Sequence, residues 1–205
     1  MTPRSHPGLP ETYANVAFNP IKRRKLLLDT LQRFCKPTNR NNKSTTWDIL
    51  ALQELDMLQP GDPILPAFES WGYQIVRTSN DLRRDCCAIA FDASKFSLLE
   101  FDVVNFDDLA TLQNINGSDV RGNALNEGYN KIRPKTPNSP SELTGMVRSF
   151  LRRNCAVVAH LKCIETKQSL IVTSVHLYWH PGYEYVKLCQ SKYLLDRVVA
   201  FAQTE

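Results

Sequence analysis

Much that would identify a protein at first sight is missing from these 205 residues. No apolar run approaches the 18 or so residues that a membrane-spanning helix needs. Met1 to Pro10 has no apolar core, so no secretory leader is expected there. Glycine is scarce at 8 residues, which argues against collagen-like and low-complexity chains. There is no P-loop, no G-x-G-x-x-G, no G-x-S-x-G and no H-E-x-x-H. Ordinary NTPase, dinucleotide, α/β-hydrolase and zincin chemistry is therefore excluded. The six cysteines include no C-x-x-C pair, so no Cys-based zinc site is expected. Reduced, mostly buried thiols in a cytoplasmic or nuclear protein are expected. The charge balance is also weak, 25 basic against 21 acidic residues. A net +4 permits a phosphate-rich partner without arguing for one.

What is present is ordinary globular sequence with 42% hydrophobic residues, enough for a real core in one domain. Residues 1–20 read as irregular. Pro20 then suits the first turn of a helix, and Leu27, Leu28, Leu31 and Phe34 form its apolar stripe. The basic run Lys22 to Lys25 opposes that helix's dipole. It is read either as a solvated face or as a nucleic-acid patch. Asp48 to Gln53 reads as a strand buried on both faces, with Glu54 at its end. A short helix is expected at Ile64 to Trp71 and a strand at Tyr73 to Arg77. Cys86 to Phe91 and Phe96 to Leu99 read as a strand pair joined by a turn at Asp92 to Lys95. Asp107 to Ser149, rich in Asn, Gly and Pro, reads as a polar surface insertion. Cys155 to Cys163 and Ser169 to Leu177 read as a hairpin, and Tyr185 to Phe201 as an amphipathic helix. The mixture predicts an α/β layered domain.

Two residues stand at strand ends, where α/β sheets place ligand sites. Glu54 is either an oxygen ligand for a hard cation such as Mg²⁺ or a merely exposed carboxylate. His176 is either a general acid or base or a half-buried imidazole satisfied by a carbonyl. His160, in mid-strand, reads as structural, and His180, before Pro181, as solvated. Trp179 and Pro181 offer flat faces that can stack a nucleobase or plug the loop.

Four segments in order resemble the deadenylase branch of the endonuclease/exonuclease/phosphatase superfamily. This is the group of the carbon catabolite repression deadenylase, Angel and Nocturnin. They are Trp47-Asp-Ile-Leu-Ala-Leu-Gln-Glu-Leu-Asp56; Asp85-Cys-Cys-Ala-Ile-Ala-Phe91 with Ser94-Lys-Phe96; Asn154-Cys-Ala-Val-Val-Ala159; and Thr173-Ser-Val-His-Leu-Tyr-Trp-His-Pro181 with Val186, Lys187, Leu188 and Gln190. The resemblance covers about Ile21 to Ala202. It implies a partial four-layer α/β sandwich, two packed sheets flanked by helices, with a domain over residues 21–205 interrupted at about 107–149. It makes Glu54 a Mg²⁺ ligand, His176 a catalytic residue at the scissile phosphate and Pro181 a substrate-binding residue of the nucleotide pocket. The activity implied is Mg²⁺-dependent 3′–5′ exoribonuclease action on poly(A) in mRNA decay. The related possibilities are a phosphatase acting on a nucleotide or an RNA end, and a non-catalytic remnant that binds RNA or protein.

The family's opening Ser-Tyr-Asn strand has no counterpart, since Thr12-Tyr-Ala-Asn15 lies too close to the first helix. Its later Gly-Asp-Phe-Asn and Ser-Asp-His segments do not occur before Glu205. The N-terminal half is therefore expected, inactive alone. It is also expected to supply only one sheet, whose inner face, alternate residues of Ala156 to Ala159 and Ile171 to Val175, would be bare.

Overall fold

The computed structural model describes residues 19–36, 46–56, 63–78, 85–115 and 148–203. The irregular segment expected at 1–20 lies outside them up to residue 18. Helix α1 (Pro20–Cys35) starts where Asn19 caps it, its Oδ1 accepting the Ile21 and Lys22 N–H groups at 3.1 Å each. Strand β1 (Ile49–Asp56), helix α2 (Ile64–Ser70) and strands β2 (Tyr73–Arg77), β3 (Asp85–Asp92) and β4 (Phe96–Asn105) follow. Helix α3 (Asp108–Ile115), the hairpin β5 (Cys155–Cys163) and β6 (Ser169–Val175), a 3₁₀ turn (Pro181–Tyr183) and helix α4 (Glu184–Ala202) complete the described chain.

The strands make two antiparallel sheets of three, in the orders β1-β3-β2 and β4-β5-β6. The pleat sorts their residues into layers. From β3, Cys87, Ile89 and Phe91 face Cys155, Val157, Ala159 and Leu161 of β5, and these residues form the core between the sheets. Ala90 faces the opposite way, toward Leu31 and Cys35 of α1 and Ile64 and Phe68 of α2. Ala156 and Val158 turn outward to Val186, Tyr193 and Leu194 of α4. The result is a helix–sheet–sheet–helix stack, the expected α/β architecture.

Several expectations are corrected. Both sheets are built from this chain, so the inner face is covered rather than bare: residues Ala156 to Ala159 are at most 1% exposed. β1 is an edge strand of its sheet, not a strand buried on both faces; Leu50 is buried but Ala51 is exposed. β3 and β4 are not a hairpin pair. The Asp92–Lys95 turn, closed by Lys95 N–H on Asp92 C=O at 3.0 Å, carries the chain from one sheet to the other. β4 then runs on to Asn105, where the expected strand ended at Leu99. The stripe of α1 is rotated. Leu31 and Cys35 are buried, while Leu27 and Phe34 face outward, Phe34 stacking on Trp47 with centroids 4.1 Å apart. The polar segment 107–149 begins as α3, held by buried Leu109 and Ala110. Residues 116–147 of that expected insertion lie outside the described residues. All six cysteines are free thiols, four of them buried, as expected.

Ile89 is fully buried between the sheets. Ile89→Ala should therefore cost about 2–5 kcal/mol of unfolding free energy in urea titration, the range for emptying a close-packed site.

Candidate active site at the ends of β1 and β6

β1 does not stop at Glu54. Its register with β3 shifts between Leu52 and Leu55, so Gln53 and Glu54 form a bulge. There Glu54 adopts φ 55°, the left-handed region that residues with a Cβ seldom occupy. The carboxylate is thereby thrown outward, with a side chain 72% exposed. Across the gap between the sheets, His176 follows the last residue of β6. Its Nε2 lies 3.6 Å from Glu54 Oε1, and its side chain is 27% exposed. The structure thus brings together two residues 122 positions apart, one from each sheet.

Backbone hydrogen bonds hold the imidazole in place. The His176 N–H donates to Cys155 C=O at 3.2 Å. Asn154, buried just before β5, donates from Nδ2 to His176 C=O at 2.8 Å. On the carboxylate side, the buried Ser174 hydroxyl donates to Leu52 C=O at 2.7 Å and accepts from Gln53 Nε2 at 3.2 Å.

Beyond His176 the chain forms an aromatic loop. Pro181 is exposed at the first position of the 3₁₀ turn, and Trp179 beside it is 73% exposed. Inside the loop, the Arg152 guanidinium lies over the Tyr178 ring at 4.5 Å and the Tyr183 ring at 4.6 Å. His180 is not solvated as expected. It is half-buried, stacks on Tyr178, and caps the turn by accepting the Gly182 N–H on Nδ1 at 3.1 Å. Gly182 is suited to this close turn, because a Cβ there would meet the His180 ring at 3.2 Å. His160 is buried against Phe201, the structural role expected of it.

Gln190 of α4 is fully buried, and its Oε1 accepts the Tyr178 N–H at 2.9 Å. The sequence held a signal for it: a polar residue inside the apolar stripe, four residues from Val186 and from Leu194. Arg152 and Ser174 carried no comparable signal, since each acts on residues remote in sequence.

Glu54 can supply one oxygen ligand to a hard divalent cation, and Mg²⁺ is commonly held by one or two carboxylates together with substrate phosphates. The outward, exposed carboxylate fits that role. No group of three or more His, Cys, Asp or Glu side chains gathers around a point among the described residues.

Comparison with known proteins bears on the fold. No family model matches the chain. Over 167 residues it is 30% identical to the CCR4-Not complex 3′-5′-exoribonuclease subunit Ccr4 of Yarrowia lipolytica, covering 76% of this chain and 20% of that one. It is 29% identical over 154 residues to the CCR4-NOT transcription complex subunit 6-like-A of Xenopus laevis, covering 70% of this chain and 26% of that one. Its fold superposes on that of ANGEL2, a 2′,3′-cyclic phosphatase, with a TM-score of 0.58 at 24% identity, over 87% of this chain and 38% of that chain. These likenesses bear out the resemblance to the deadenylase branch of the endonuclease/exonuclease/phosphatase superfamily, over part of a domain. The chain spans about a fifth to a quarter of the length of these two curated relatives. No helix among the described residues is long and apolar enough to cross a membrane.

At the opposite end of the sandwich, a cavity of ≈ 250 Å³ is lined by Asp48, Lys95, Phe96, Cys163 and Glu165. The Thr166 side chain and its N–H, which lies 3.5 Å from the sulfur, hold the Cys163 thiol below the usual cysteine range. Burial pushes Cys189 up. Iodoacetamide should therefore modify Cys163 first, and as the pH is lowered Cys189 should stop reacting before Cys163 does; peptide mapping of limited digests reads both. Gln190→Leu should remove the Tyr178 N–H acceptor, cost about 1–3 kcal/mol and loosen the aromatic loop. Amide exchange at Tyr178 is the check.

Proposed function

We propose that this chain carries part of the active site of a Mg²⁺-dependent hydrolase of RNA phosphodiesters, a 3′–5′ exoribonuclease acting on poly(A) ends in mRNA decay. The observation that carries the reading is the convergence of Glu54 and His176, 3.6 Å apart, at one end of the two-sheet sandwich. Identity with an exoribonuclease subunit supports the substrate class. In this reading Glu54 is the metal ligand, His176 the catalytic residue and Pro181 a wall for the base. Bound Mg²⁺ would supply stabilisation of the charge developing on the phosphoryl oxygens. The left-handed bulge keeps the Glu54 carboxylate outside the sheet ladder, where phosphate can approach it. His176, with its backbone tied to Asn154 and Cys155, can present an Nε2 proton to a phosphoryl oxygen. Pro181 and Trp179 offer exposed flat faces on which an adenine can stack. The expected setting is the cytoplasm or nucleus, with RNA as partner.

The cyclic-phosphatase chemistry of ANGEL2 favours a second reading, action on a cyclic phosphate at an RNA end. One carboxylate and one imidazole are a sparse set for such chemistry, where loss of a single charged group typically costs about 10²-fold or more. Turnover by the 205-residue chain alone is therefore expected to be slow. The test uses 5′-labelled oligo(A) and the same oligomer ending in a 2′,3′-cyclic phosphate, with and without Mg²⁺. Mg²⁺ should tighten oligo(A) binding by the native chain but not by Glu54→Gln, and any AMP release should fall about 10²-fold or more in Glu54→Gln and His176→Ala. Binding and release indifferent to both Mg²⁺ and Glu54 would defeat the proposal. Processing of the cyclic end alone would select the second reading.

A further inference from the structure

The bulge that presents Glu54 is fastened from the other sheet by one hydroxyl. Ser174 is fully buried on β6, two residues before His176. Ser174 faces the opposing sheet, where it bonds Leu52 and Gln53, and His176, one residue past the end of β6, meets Glu54 on the same side. The Ser174 hydroxyl donates to the C=O of Leu52, the last β1 residue in regular register before the bulge. The same oxygen accepts from the side-chain amide of Gln53, the first bulged residue. Glu54, next along, carries the left-handed backbone and reaches to within 3.6 Å of His176. Such a conformation persists only where its surroundings hold it. On β1 the local sequence offers no glycine to ease it, and Ser174 supplies hydrogen bonds that reach its neighbours Leu52 and Gln53 across the gap.

We propose that Ser174 is a positioning residue: by bonding the two residues before Glu54 from the strand that carries His176, it sets the carboxylate–imidazole separation. This rests on Glu54 and His176 being the working pair. The argument is one of short, stiff linkage. From Ser174 to His176 runs two residues of strand, and from Leu52 to Glu54 two residues of bulge. The hydroxyl closes these arms into a loop whose free ends are the two site side chains. Removing the hydroxyl opens the loop at its buried corner and lets the bulge relax toward regular strand geometry, which turns Glu54 away.

Three variants test this: Ser174→Ala, Ser174→Thr, which keeps the hydroxyl, and Gln53→Ala, at an exposed position that leaves the buried hydroxyl intact. The first readout needs no metal. At fixed pH, the His176 ring Hε1 resonance is recorded with and without Glu54→Gln in each background. The second uses Mn²⁺ alone as probe, following paramagnetic broadening of the Glu54 and His176 amides. Thermal unfolding monitors the fold. In the native background Glu54→Gln should move the His176 resonance. In Ser174→Ala that shift should vanish while unfolding stays cooperative, and selective Mn²⁺ broadening should need about tenfold more Mn²⁺, the usual scale for losing a supporting contact. Ser174→Thr should restore both. If Ser174→Ala does not fold, Gln53→Ala decides. A reduced Glu54-dependent shift supports the proposal and an unchanged one overturns it. Native behaviour of Ser174→Ala in both readouts also overturns it. A Ser174-dependent shift without selective Mn²⁺ broadening in the native chain would keep the positioning role and reject the metal reading.

Discussion

Strand β5 is the constraint on which the rest depends. Its residues from Cys155 to Leu161 are buried, with odd-numbered side chains against the other sheet and Ala156 and Val158 against α4. Because the strand is covered on both faces, its neighbours have little freedom to slide. A one-residue slip of β6 would turn its inward residues outward, removing Val172 from the inter-sheet core and Ser174 from Leu52. The position of His176 is thus inherited from β5 by way of β6, and Asn154 and Cys155 bond its backbone from the start of the same strand.

The sheet that carries Glu54 is built differently. Its centre, β3, is made of small and medium side chains, Cys86 to Ala90, which let two helices close over one face and β5 over the other. β1 is left at the edge, where a bulge is tolerated because no further strand among the described residues pairs on its outer side. Rigid centre and irregular edge have complementary uses. The first fixes where the site lies, and the second re-aims a single carboxylate toward it. Ser174 joins them, and it can do so only because a small residue permits close approach of β1 and β6.

The loop that follows His176 shows a second economy. One buried amide from α4, one guanidinium between two tyrosine rings and one histidine cap hold Tyr178 to Tyr183. None of these contacts involves Pro181, which is exposed, and Trp179, though its ring touches those of Tyr178 and His180, stays 73% exposed. The surface that the proposed function offers to a base is thereby braced from beneath.

Local pattern determined a good deal by itself. The start of α1 at Pro20, the Tyr73–Arg77 strand, the β5–β6 hairpin and the apolar stripe of α4 were legible because each depends on contacts close in sequence or on burial periodicity. His176 was legible as a strand-end residue, and both Glu54 and His176 as pieces of family segments. What only the tertiary structure decided was pairing at a distance. Pattern could not tell that β3 and β4 part into different sheets, because a tight turn joins paired and unpaired strands alike. It could not tell that β1 is an edge, because an apolar run reads the same whether one face or both are covered. It could not show that Glu54 sits in a left-handed bulge rather than at a strand end, or that a serine 120 positions away holds that bulge. Those outcomes belong to the packing of two sheets against each other, and no short window of sequence contains both sides of that interface.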